Sequence, residues 1–214
     1  MICDDLQALP RAPPTCPAGY RLRTFKPGDE EGWCACFAQW TAGPHEPYTA
    51  AGWTPERLAR WCAMDAGRSG GSGIKSPSED LFVIETTEGK IVATACVWTT
   101  PSATKKTLVE RNGAKVVLAM PSTGEINWVA SVEGHRGKGL GDVVSLAVLQ
   151  RLREIGKQSC WLETDDWRIP AIKTYIKYGF RKIITHDSHA ARWAMVEKIC
   201  RSGEQAPNLA PQLL

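Results

Sequence analysis

Two hydrophobic periods alternate along the chain. From 19 to 25, Tyr20, Leu22 and Thr24 alternate with Arg21 and Arg23, the period-two sign of a strand with one wet face. Lys26-Pro27-Gly28-Asp29 then turns into a helix, where Trp33, Cys36, Phe37 and Trp40 recur at helical spacing until 43–48 ends it. Thr54 as N-cap, Pro55 at the first helical position and Glu56 in the first turn announce a second helix, with Leu58, Trp61 and Cys62 as its apolar stripe. A glycine- and serine-rich loop over 67–78 follows. The apolar, β-branched runs 81–85 and 90–99, separated by Thr86-Thr87-Glu88-Gly89, predict a hairpin.

For 101–122 the pattern leaves an extra strand and a packed loop both open. The run 126–132 predicts a strand, and 143–149 a helix directly after a glycine turn. A buried strand is expected over 159–164, then a helix over 169–178 with Ile172, Tyr175 and Ile176 on one face, stopped by Gly179. A strand over 180–185 and a last helix, capped by Ser188 with Trp193, Val196 and Ile199 inward, complete the series. The leading 18 residues carry Pro10, Pro13, Pro14 and Pro17 and read as an extended leader. The expected fold class is α/β (α+β), a central mixed sheet of about six to seven strands flanked by helices. One domain over 19–200 is expected, between an N-terminal extension over 1–18 and a polar tail over 201–214.

Composition narrows the classes. At 214 residues, with 43% hydrophobic and 23% charged positions, the chain suits a single buried core. No apolar run approaches the ~20 residues of a membrane span, and the first residues lack a signal-peptide pattern. A cytoplasmic protein without a membrane partner is the expectation. A net charge of +3 without blocks of like charge gives no reason to expect a nucleic-acid partner. Eight cysteines at irregular spacing, with no C-x-x-C pair, read as reduced, mostly buried thiols. His45, His135, His186 and His189 show no metal-ligand spacing, so no metal is expected.

The chemistry concentrates in Arg136-Gly137-Lys138-Gly139-Leu140-Gly141, between a strand and a helix. Three alternate glycines let the backbone approach a bulky anion, while the first N–H groups of the helix point at it. A Walker loop would need Lys and Ser or Thr where Leu140 and Gly141 stand. A dinucleotide fingerprint would need G-x-G-x-x-G, whereas these glycines give G-x-G-x-G. Gly134-His135-Arg136-Gly137 also spells the G-x-x-G of an RNA-binding loop, against which stand the long apolar strand before it and the modest charge.

The hexapeptide resembles the R/Q-x-x-G-x-G/A signature of the GNAT superfamily of acetyl-coenzyme A dependent N-acyltransferases. Ala171-Ile172-Lys173-Thr174-Tyr175-Ile176-Lys177-Tyr178-Gly179-Phe180 is similar to that superfamily's second signature, A-I-x-x-Y-x-x-x-G-F. The resemblance implies a GNAT fold and acetyl-CoA as donor. Arg136, Gly137, Lys138, Gly139, Leu140 and Gly141 would hold the pyrophosphate, and Ala130, Ser131 and Val132 would serve the pantetheine arm through main-chain groups. It further implies Glu125 as the base that takes the amine proton, Tyr175 as the acid for the leaving thiolate, and a strand N–H for the oxyanion. Glu133 replaces a proline common before the turn. Arg168 replaces an asparagine that often opens the second signature, and is expected to contact cofactor or acceptor.

The expected activity is acetyl transfer from acetyl-CoA to a primary amine, small-molecule or peptide, by a monomer or homodimer. An acyl-CoA binding or sensing module of the same fold is the alternative. The acceptor is left open, because loops set acceptor pockets.

Overall fold

A computed structural model describes residues 1–39, 52–65, 76–99, 107–109, 115–117 and 122–202, without the side chains of 61–65, 107–109 and 115–117. Its centre is a six-stranded sheet of β1 (Ile2–Cys3), β2 (Tyr20–Thr24), β3 (Leu81–Thr86), β4 (Ile91–Trp98), β7 (Thr123–Ser131) and β8 (Ser159–Trp161), in the order β1-β8-β7-β4-β3-β2. Neighbours are antiparallel except β7 and β8, which are parallel and joined through α4 (Leu140–Glu154). The expected mixed sheet flanked by helices is therefore present.

The hairpin of β3 and β4 closes through Gly89 at φ +82°, a left-handed position that glycine takes without Cβ strain. β4 is buried at every position and contacts both α1 (Glu30–Phe37) and α4, so neither of its faces meets water. That double cover explains why 90–99 reads as a continuous apolar run rather than an alternating one. Gly124, buried on β7, lets α4 close against the sheet: a Cβ there would stand 2.2 Å from Leu152 Cδ2. Helix α2 (Pro55–Asp65) starts as its sequence signals, with the Arg57 N–H donating to Thr54 Oγ1 at 3.2 Å. The last two helices are α5 (Ile169–Lys177) and α6 (His189–Ser202).

Several expectations are corrected. The leader contributes the edge strand β1, with Ile2 opposite Trp161 and Cys3 opposite Cys160. Ile2, Cys3, Leu6 and Leu9 are buried, and Gln150 donates to the carbonyls of Pro10 and Ala12 at 2.8 Å each. Its spaced apolar residues, outnumbered by proline and polar positions, supply this docking. Residues 180–185 form no strand; a single bridge pairs Arg181 with Ile2, because β1 already occupies the edge beside β8. β8 ends at Trp161 rather than 164, and Ile176 is 46% exposed rather than on the inner face. Ser188 bonds His186 Nδ1 through its hydroxyl, leaving its carbonyl to accept from Arg192.

Within 101–122, Thr107–Val109 and Lys115–Val117 form an antiparallel pair, β5 and β6, in a separate sheet. Within the expected loop over 67–78, Pro77 opens the one-turn helix α3 (Pro77–Asp80). The expectations for Trp40, 43–48, the rest of these loops and the tail beyond 202 lie outside the described residues, as do the side chains of Trp61 and Cys62.

Candidate active site

Three elements meet at the site: β7, the turn that follows it, and α5. β7 pairs with β8 only from Thr123 to Glu125, opposite Ser159 to Trp161. Beyond Glu125, no described strand pairs with that edge of β7, so a slot of open backbone runs toward the glycine turn. On its other edge β7 follows β4, but the register slips: Thr94 faces Ala130 and Cys96 faces Asn127, leaving Trp128 and Val129 against Ala95. This is a β-bulge, and Trp128 takes φ +53° in it. An aromatic cluster holds the strained residue, with ring centroids of Trp53, Trp33 and Phe37 at 4.9, 5.3 and 5.9 Å from its own.

Glu125 sits where the strands part. It is 2% exposed, and the Asn127 side-chain nitrogen donates to its Oε1 at 3.0 Å. The Asn127 oxygen accepts the Trp128 N–H at 2.8 Å, so one amide ties the carboxylate to the bulge. Register places Trp98 on one side of Glu125 and Trp161 on the other, on the same face of the sheet.

At the end of β7, Gly137 and Gly139 have φ +75° and +77°, and nothing lies within 4 Å of where a Cβ would stand on either, or on Gly141. The surface over the turn is open. Gly139 is the N-cap of α4 and offers no side-chain cap, so the first helical N–H groups are left for a ligand. The Leu140 side chain is buried and anchors the turn, leaving only its backbone to a ligand. Arg136 donates from Nε to the Ser131 carbonyl at 3.2 Å and from its terminal nitrogen to the Gln39 carbonyl at 3.0 Å. Lys138 reaches the Tyr20 hydroxyl at 2.9 Å, which itself contacts His135 Nδ1 at 2.9 Å. Both cations thus brace the turn against α1 and β2. Ala130, Ser131 and Val132 complete the strand end, where the Val132 N–H is used by the Val92 carbonyl.

Tyr175 is 5% exposed on α5, and its hydroxyl has no hydrogen-bond partner among the described residues. Burial pushes its pKa up, Arg168 opposes this, and Cys160 adds to it, so the phenol stays protonated at neutral pH. Arg168, the N-cap of α5, pairs with Asp165 at 3.0 Å. Sequence reasoning missed the roles of Gln39, Tyr20 and Trp161, which come together only through strand register and helix packing.

Cys3, Cys16, Cys34, Cys36, Cys96, Cys160 and Cys200 form no disulfide, and burial pushes the Cys36 thiol up to about 12. Among the described residues, no group of His, Cys, Asp or Glu is arranged to hold a metal ion. No described helix is long and apolar enough to cross a membrane.

The fold resembles solved structures. A GCN5-related N-acetyltransferase from Sphaerobacter thermophilus superposes with a TM-score of 0.53 at 18% identity, covering 84% of this chain and 46% of that one. A transcriptional regulator from Bacillus halodurans gives 0.52 at 21%, covering 78% and 95%. In sequence, the chain is 30% identical over 178 residues to the mycothiol acetyltransferase of Saccharomonospora viridis, covering 83% of this chain and 51% of that protein. It is 31% identical over 176 residues to the enzyme of that name from Thermobispora bispora, covering 81% and 50%. The chain spans about half the length of these two relatives. The pattern of the Acetyltransferase (GNAT) family matches residues 33–180, and with the split β7–β8 pair and the glycine turn at its mouth, this chain belongs to that family.

Proposed function

We propose that this chain is an N-acetyltransferase that uses acetyl-CoA to acetylate a primary amine. The observation that carries the reading is the parting of β7 and β8 at Glu125, which opens one edge of β7 all the way to the glycine turn. Acetyl-CoA brings a pyrophosphate, a row of amides and an activated thioester; transfer to an amine breaks one C–S bond, forms one C–N bond and releases thiol and a proton. The residues present fit such a group. The uncapped N–H groups at the start of α4 bind the pyrophosphate, helped by the helix dipole. The open edge of β7 at Ser131 offers backbone groups to the amides, while those of Ala130 and Val132 face β4. Arg136 and Lys138 stiffen the turn and supply positive charge beside it.

Glu125 takes a proton from the incoming ammonium, leaving the nitrogen a lone pair. Asn127 orients the carboxylate by donating to its Oε1. Tyr175, buried and protonated, holds at Oη the proton that a departing thiolate needs. The test is calorimetric titration of CoA together with thiol release from acetyl-CoA over an amine panel. Micromolar CoA binding with amine-dependent thiol release is expected; CoA binding with no release for any amine would favour a sensing module instead.

A further inference from the structure

A cavity of about 540 Å³ opens beyond the end of β8, between the loop leading to α5 and the helix α6. Its inner wall is apolar and buried: Trp161, Leu162, Ile172, Ile183 and Val196 are each at most 5% exposed. Two of these wall residues are neighbours of the proposed catalytic pair. Trp161 stands beside Glu125 in the parallel register, on the same face of the sheet. Ile172 lies three residues before Tyr175, on the same face of α5. Through Trp161 and Ile172 the cavity wall is thus continuous with the elements that carry Glu125 and Tyr175.

Its chemistry is selective. The Trp161 indole N–H is buried with no hydrogen-bond partner among the described residues and stays behind the apolar wall. At the rim, Arg168 is paired with Asp165 and Arg192 with Asp166, at 3.0 and 2.6 Å, so both cations are neutralised. Glu163, exposed on the same rim, makes no ion pair among the described residues. The Met1 amine, which also lines the cavity, is pushed down to about 5 by burial against the opposing pull of Glu163 and is uncharged at neutral pH, so the surplus at the mouth is negative, which attracts an ammonium and disfavours an anion. An amino sugar would set many hydroxyls against an apolar wall, where each unpaired polar group is penalised. A hydrophobic side chain fills it at a gain.

We propose that this cavity is the acceptor pocket, and that it takes a primary amine carried on an aromatic or branched aliphatic body. The assignment rests on the acetyltransferase reading above, and its test separates the two. Calorimetry with phenylalaninamide, glucosamine and CoA is run on the wild type, Thr185→Trp and Glu163→Gln. Thr185 is exposed on the cavity wall, so a tryptophan there blocks the space without disturbing the core. Phenylalaninamide is expected to bind and glucosamine to give no heat. Thr185→Trp should weaken phenylalaninamide at least tenfold and Glu163→Gln about threefold, the scale of an exposed charge pair. Affinity for CoA should stay within about twofold in both variants, which also reports their folding. No heat with phenylalaninamide, glucosamine binding equally well, or unchanged phenylalaninamide affinity in Thr185→Trp overturns the pocket while CoA binding persists. Failure of the wild type to bind CoA overturns the donor reading instead.

Discussion

Asn127 couples Glu125 to the bulge in the central strand: its nitrogen donates to Glu125 Oε1 at 3.0 Å while its oxygen accepts the Trp128 N–H at 2.8 Å. Asn127→Ala removes both bonds and should lower kcat/KM about tenfold, consistent with one lost charge-assisted hydrogen bond. A donor to a carboxylate favours its charged form, so its loss should move the acidic limb of the pH–rate profile to higher pH. Asn127→Asp, with a second carboxylate beside Glu125, should move that limb further. An unmoved limb in both variants would remove Glu125 from the role of base.

Tyr175 offers a cleaner separation of chemistry from stability. Its hydroxyl bonds nothing among the described residues, so Tyr175→Phe should leave thermal stability nearly unchanged. As the proton donor, however, it should account for about a hundredfold in kcat. Steady-state kinetics beside a melting curve checks both halves. A variant with full activity would return Tyr175 to the core.

The cradle should be sensitive to a single methyl group. Gly139 sits at φ +77° with open space around it, so Gly139→Ala meets no atom but carries left-handed strain of about 1–2 kcal/mol. A fall in Tm of roughly 2–8 °C is expected. CoA affinity should weaken as the first turn of α4 shifts, read by calorimetry.

Gly124 tests packing beside the site. A Cβ there would lie 2.2 Å from Leu152 Cδ2, and Leu152 is fully buried, so Gly124→Ala should destabilise by about 1–3 kcal/mol in urea titration. Combining it with Leu152→Ala should give a loss smaller than the sum of the two, because the second change makes room for the first.

Strand β2 carries an acid-sensitive knot. Arg23 pairs with Asp29 at 2.5 Å and Glu85 at 2.6 Å, and Arg21 also bonds Glu85. Burial opposes ionisation of both carboxyls, yet the arginine hydrogen bonds outweigh it and hold them below their ordinary 3.8 and 4.5. A lowered folded pKa contributes stability above the ordinary value and loses it as pH falls through the lowered one. Stability should therefore decline from about pH 4.5 downward. Asp29→Asn should flatten that decline and lower stability at pH 7 by about 1.5–3 kcal/mol.

Local patterning carried much of this protein. A period-two run marked β2, continuous apolar runs marked β3 and β4, Thr54 and Pro55 marked the start of α2, and the glycine spacing marked the turn before α4, because each signal is spent within a few residues of where it is written. The two motif segments likewise pointed to Tyr175 and the glycine turn as candidates, since recognition of a phosphate by backbone needs glycine at fixed offsets. Long-range relations were decided only by the folded chain. The leader read only as an extended segment because Ile2 and Cys3 become a strand edge, and Leu6 and Leu9 become buried, only when β8 and α4 lie beside them. The expected strand over 180–185 yielded for the same reason, its place beside β8 being taken. Nor does any sequence spacing show that Trp161 stands next to Glu125, 36 positions earlier: that is a matter of register, fixed by how α4 crosses the sheet and by Gly124 letting it close.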